Sequence, residues 1–362
     1  MSSSLQYVPF ESVWKMRIDH PYSLFVRDGS HFWSCGQCPL NEAGDVLHPN
    51  DLFAQARALT GIIDQLLGKI GANRSAVAQL VVYYIKTADG DGHRLTHLLS
   101  GFFDTHVLVV PVSIPHFYYD GMMIEVDVKG AVGEKASRLT TDESTRSSLQ
   151  IVDIGDLSYG VLLVPSEAEL DSAVQRLLAR SDMADRIISE QWFVASDAAA
   201  KELRSIRGDR LPTSCEVVGI QRDGFAVIGQ FTFARDPVSV TSSSHREHGV
   251  EDVAVSLSRS GDFFEVMAAC TSGQHGLVEE TRRIMRAIDW TLRDHNLSFK
   301  DVRKSTTHYI AGSSAEDLHD NMSVRNAYYT KPGPGSTGLP VLSFPLAASR
   351  VSVRIFGKLS AR

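Results

Sequence analysis

The chain has 362 residues, 43% of them hydrophobic, which is material for two or three domains with buried cores and excludes a disordered chain. Lys+Arg 36 against Asp+Glu 43 gives a net charge of −7 with no long run of either sign, so neither nucleic acid nor an anionic membrane is expected as a partner. Apolar stretches such as Val107–Val112 fall far short of the roughly 20 residues of a spanning helix, and the opening MSSSLQYVPFESVWK lacks a signal peptide's basic end and apolar middle; the expected location is the cytoplasm.

In chain order, His31–Cys35 reads as a strand, and Phe53, Ala56, Leu59, Ile63, Leu66 and Ile70 recur at helical spacing. Leu80–Ile85, dense in β-branched and aromatic residues, reads as a central strand. A second helix ends near Phe102–Phe103, followed by strands Val107–Val112 and Met123–Val128. Ala131 to Ser148, rich in Ser, Thr and charge without periodicity, has the composition of a linker.

The order then returns. A hairpin from Leu149 to Val164 precedes a helix with Leu170, Val174, Leu177 and Leu178 inward, and Ser166 with Glu169 reads as a capping box that fixes its start. Strand Ile187–Val194, a short helix near Ala198–Arg207, and strands Cys215–Ile220 and Phe225–Phe233 follow. From Val250 the pattern comes a third time: hairpin Val253–Cys270, a helix carrying Val278, Ile284, Ile288 and Leu292, strand Lys304–Ile310, a helix near Ala315–Tyr328, and strands Leu339–Phe344 and Val351–Phe356. Tyr84, Phe193 and Tyr309 keep a spacing of roughly 110 residues, the mark of a repeat. The expected fold class is α+β: three tandem ββαβαββ units over residues 1–135, 148–240 and 250–362. Each unit has a sheet with one face under helices and the other bare, and the bare faces are expected to pack around a pseudo-threefold axis.

Pro21-Tyr22-Ser23, Cys35-Gly36-Gln37 followed by Pro39, Val81-Val82-Tyr83 and the strand Ile124-Glu125-Val126-Asp127-Val128 together resemble the RidA (YjgF-like) family of reactive-intermediate deaminases. The resemblance covers about residues 20–130 in motifs and the rest by element order. It implies homotrimer-like packing of the units within one polypeptide, with sites in the clefts between them. Tyr309-Ile310-Ala311-Gly312 and Gly335-Ser336-Thr337-Gly338 are in addition similar to chorismatases, which have fused RidA-type units. The family's carboxylate-binding arginine is not kept: its counterparts fall at Asp104, at Thr213 or Ser214, and at Ser336. The family's acidic residue matches Glu125 in the first unit, against Gly229 and Ser352 in the others.

Alternation along Met123–Val128 puts Glu125 and Asp127 on one face, where close like charges and burial raise one pKa and make a general acid. Glu125 and Tyr22 are the candidate catalytic residues, and both also fit bland roles, a solvated strand face and a buried tyrosine. Cys35, Gln37, Thr96, Arg325, Ser336 and Thr337 are the candidate substrate-binding residues, with Arg325, Arg350 or Arg354 able to replace the missing arginine. Lys331–Pro340 offers backbone N–H groups as a nest does, but as a plain turn it precedes a strand and no helix. Cys35-Gly36-Gln37-Cys38 is a C-x-x-C whose partner cysteines, Cys215 and Cys270, stand far away, and His245-Arg246-Glu247-His248 follows a Ser-rich run that reads as a flexible loop. No metal and no cofactor are expected.

Two functions remain open at this point. One is a hydrolase or lyase of specialised metabolism, acting by acid/base chemistry on an imine, enamine or chorismate-like enol ether in one surviving cleft. The other is a non-catalytic binding or scaffolding protein. In both, the expected partner is a small molecule bearing a carboxylate, in a monomer or homodimer, with two of the three clefts structural.

Overall fold

The computed structural model describes residues 5–16, 18–103, 106–141, 147–179, 181–208, 216–247, 250–310, 312 and 316–359. The first unit runs β1 (Gln6–Val8), β2 (Phe25–Asp28), β3 (His31–Ser34), α1 (Leu52–Lys69), β4 (Val77–Tyr84), α2 (Asp91–Phe103), β5 (Leu108–Ser113) and β6 (Ile124–Ala131). The second runs β7 (Lys135–Thr141), β8 (Ser148–Ile154), β9 (Leu157–Val164), α3 (Leu170–Ala179), α4 (Ser181–Ala184), β10 (Ile187–Val194), α5 (Asp197–Arg207), β11 (Glu216–Gly219) and β12 (Val227–Ala234). The third runs β13 (Ser239–Glu247), β14 (Val250–Ser260), β15 (Phe263–Cys270), α6 (Leu277–Asp294), β16 (Val302–Tyr309), α7 (Glu316–Asn326), β17 (Gly335–Pro340) and β18 (Val351–Lys358).

Each unit forms a six-stranded sheet of one order: β1-β2-β3-β6-β4-β5, β7-β8-β9-β12-β10-β11 and β13-β14-β15-β18-β16-β17. Helices cover one face. In α1, Ala56, Leu59, Ile63 and Leu66 are all fully buried on the stripe that their spacing draws, and Asp51 caps the helix by accepting from Ala54 N at 2.9 Å. The units join head to tail: β4 and β5 pack on β8 and β9, β10 on β14 and β15, and β16 and β17 return to β3. The ring is closed within one chain around a pseudo-threefold axis.

Several local expectations are corrected. The linker-like stretch carries β7, paired with β8, and the Ser-rich run up to Glu247 carries β13, paired with β14. Both are edge strands, where Ser, Thr, Lys and Arg on an exposed face keep the edge from pairing further, so composition alone mimics a linker. His248 lies outside the described residues. Ser166 makes no capping bond, and Glu167–Glu169 is a 3-10 turn ahead of α3. Gly335–Pro340 is strand β17, pairing with β16. Finally, β4, β10 and β16 end at Tyr84, Val194 and Tyr309, opposite Ile124, Val227 and Val351. Glu125 is thus matched by Ile228 and Ser352; Gly229 is one residue off, a slip that reverses the sheet face.

Candidate functional site

One cleft between the first and third units encloses a small cavity of about 60 Å³, lined by residues of both. Its floor is β6. Glu125 rises from it over Gly36, so close that a Cβ on Gly36 would lie 1.6 Å from Glu125 Oε1. Only glycine leaves that carboxyl its place. Cys38 Sγ donates to Glu125 Oε2 at 3.6 Å. Burial, and then the Asp127 charge two residues along the same strand face, push the Glu125 pKa up to about 8, against smaller lowering by Lys304 and Cys38. The carboxyl is protonated at neutral pH.

The opposite wall comes from α7 and β17. Arg325 is 1% exposed, donates from Nε to Asn321 Oδ1 at 2.6 Å and from Nη1 to Ser336 Oγ at 3.4 Å, and has no carboxylate partner among the described residues. Tyr22, 4% exposed, presents a buried hydroxyl with no hydrogen-bond partner, its pKa raised by burial. A ring of Phe10, Trp14, Phe117 and Tyr118 with Met16, Met122 and Met322 completes the lining. The cleft therefore holds an uncompensated guanidinium, a free phenol and a neutral carboxylic acid in an apolar wall.

Of the residues singled out from sequence, Tyr22, Glu125, Arg325 and Ser336 line this cleft. Cys35, Gln37, Thr96 and Thr337 do not. Cys35 is buried beneath it, and the Gln37 amide donates to Leu24 O and Cys35 O while its Oε1 accepts from Trp14 Nε1 at 3.1 Å. Gln37 is a positioning residue that ties the N-terminal segment to the cleft floor. The Thr96 hydroxyl is satisfied inside α2 by Gly92 O, and Thr337 faces the molecular axis, donating to Asp127 Oδ1 at 2.5 Å. Alternation along β17 sends Ser336 and Thr337 to opposite faces. Sequence reasoning passed over Cys38, the next cysteine of the same turn, and the aromatic run Phe117-Tyr118-Tyr119, which reads as a plain connecting loop.

At the other two inter-unit boundaries, groups of the chain itself meet across the gap among the described residues. Between the first and second units Asp223 accepts from Tyr84 Oη, Gly90 N and Gly92 N. Between the second and third, Gly219 pairs with Ser343 through backbone bonds, and Glu216 is engaged by His308 at 3.0 Å and by Ser352. Asp104, Thr213 and Ser214 lie outside the described residues. The described residues contain no cluster of metal-ligating groups, and none of their helices is long and apolar enough to cross a membrane.

No protein-family model matches the sequence, and no curated protein matches it. Solved structures similar to this chain include a putative endoribonuclease L-PSP from Entamoeba histolytica (14% identity, 36% of this chain and 100% of that one, TM-score 0.31). A Rid-family protein, YyfA from Yersinia pestis, is similar at 17% identity over 36% of this chain and 100% of its own, with a TM-score of 0.32. Rv2704 from Mycobacterium tuberculosis, of the YjgF/YER057c/UK114 family, is similar at 21% identity over the same shares, with a TM-score of 0.28. Each spans about a third of the chain, one unit's worth. The chain itself consists of three tandem α+β units, each built on a six-stranded sheet of one strand order. These similarities concern the fold alone.

Proposed function

We propose that the chain binds one small carboxylate-bearing molecule in the cleft between its first and third units and acts on it by general acid catalysis. The observation that carries this reading is the buried Arg325 guanidinium, without a carboxylate of its own, facing the same space as the protonated Glu125. A buried charge without a counter-ion is costly, and an incoming carboxylate with bidentate geometry supplies the missing partner. Glu125 then stands as proton donor to a basic atom of the ligand, such as the methylene carbon of an enol ether or the nitrogen of an imine. Water adds to the resulting cation, and the adduct collapses to a ketone with loss of the alcohol or amine, the proton returning to Glu125. Tyr22 holds the ligand or the water through its free hydroxyl.

Calorimetric titration with a panel of carboxylated imines and enol ethers is expected to give a stoichiometry near one per chain, with turnover of at least one compound by the wild type and none by Glu125→Gln. The contacts that the chain's own groups make across the other two boundaries favour a second reading, a binding module without chemistry. Tight binding with no turnover across the panel selects it; a stoichiometry near three, or a ligand bound only away from the first unit, overturns both.

A further inference from the structure

The axis where the three sheets meet encloses a second chamber, lined by residues other than those of the cleft. Lys304 Nζ stands 2.8 Å from Asp127 Oδ2 and donates to Thr337 Oγ1 at 2.6 Å. Arg354 lies 3.1 Å from Glu265 and 3.6 Å from Glu216, the latter already engaged by His308 and Ser352. Lys129 lines the same chamber and has neither a hydrogen bond nor a carboxylate partner for its ammonium among the described residues. Arg354 Nε and Gln230 Oε1 are buried without partners. Three cations, Lys304, Arg354 and Lys129, thus stand with three carboxylates, Asp127, Glu265 and Glu216, and of the cations Lys129 alone has no carboxylate within salt-bridge distance among the described residues. Burial and the neighbouring Arg354 lower the Lys129 pKa to about 8, against raising by the Asp127 and Glu265 charges, neither of which reaches contact with its ammonium.

We propose that this chamber binds one small monovalent anion, a halide or a planar oxyanion of formate or nitrate size, between Lys129 of the first unit and Arg354 of the third. An anion between them accepts from the Lys129 ammonium and from the orphaned Arg354 Nε at once, and gives Lys129 the contact counter-charge that water does not supply. Gln230 Oε1, from the second unit, accepts from a water that accompanies the anion. All three units then contribute to the bound anion or its water, and none of the residues that line the chamber lines the cleft.

Diffraction from crystals of the full chain soaked in bromide is expected to show one anomalous peak in the chamber, retained in Arg325→Met. Thermal melting in sodium bromide or formate should exceed that in matched sodium gluconate, whose anion is too bulky to enter, by on the order of 2–4 °C at a hundredfold excess over the dissociation constant. That difference should vanish in Lys129→Met. Absence of bromide density from the chamber, or an equal rise in gluconate, overturns the proposal. The diffraction arm uses the native protein and stands whether or not Lys129→Met folds.

Discussion

The Tyr84 hydroxyl of the first unit donates to Asp223 Oδ2 of the second at 2.6 Å, and the same side chain accepts from Gly90 N and Gly92 N at 2.7 Å each. A carboxylate of the chain itself thus occupies one inter-unit cleft, held by a tyrosine at a strand end and by backbone donors around the start of α2. In the first-to-third cleft, Tyr309 at the end of β16 is the counterpart of Tyr84 and lines open space.

Asp223→Ala is expected to destabilise the chain by about 2–4 kcal/mol, because it strands three donors, two of them buried, that its carboxylate now satisfies. Formate in molar excess should restore part of the loss by entering the vacated position, and calorimetric melting with and without formate measures it. A melting temperature unchanged by the substitution would show the plug to be incidental.

Glu125 sets a pH dependence of stability. Its pKa is raised by burial to about 8 in the folded chain and returns to the ordinary carboxylate range near 4.5 on unfolding. Between those values the unfolded state sheds the proton that the folded state keeps, so stability is highest below about pH 4.5 on this account and falls as pH rises to about 8. Glu125→Gln, neutral throughout, should flatten that slope. Urea midpoints at pH 5 and pH 8 for the two proteins test it, and any Glu125-dependent turnover should decline through the same upper pH.

Gly36→Ala should move the Glu125 carboxyl aside, since the added methyl overlaps its oxygen. Ligand affinity or turnover is expected to fall at least about tenfold, in line with the loss of one placed acid. The melting temperature should also fall, because the methyl overlaps Glu125 Cγ and Cδ as well as the oxygen and the buried side chain must move as a whole.

Arg325→Met is expected to weaken carboxylate binding by about 10- to 100-fold while leaving stability within about 1–2 kcal/mol, because it removes a buried charge that has no internal counter-ion. Titration of the wild type and variant with the same ligand reads the first effect and chemical denaturation the second.

The repeat and the cleft's central residues were legible in the sequence for physical reasons. Strands such as Val77–Tyr84, buried along their whole length, announce themselves by composition, and the α1 stripe by period. Pro21-Tyr22-Ser23 and Cys35-Gly36-Gln37 marked a backbone that brings Tyr22 and Glu125 to one space. Edge strands β7 and β13 were hidden because exposed Ser, Thr and charge look alike in a strand and in a linker. Thr96 and Thr337 were misplaced because linear position does not say which face a side chain takes or whether its hydroxyl already has a partner. Arg325 could be named only as one cation among several, since its importance lies in lacking a carboxylate 3 Å away, which is a property of three-dimensional neighbours.

The head-to-tail closure of the ring has a genetic meaning. Where a ring is built from identical subunits, one codon writes the same side chain into every cleft, and a change that suits one site is imposed on all. Here the matching position is encoded separately as Glu125, Ile228 and Ser352, so each cleft drifts alone. A plug such as Asp223 can arise in one boundary without closing its neighbours, and the open cleft, joining the first and third units, is free to take up a new ligand while the other two boundaries hold the ring together.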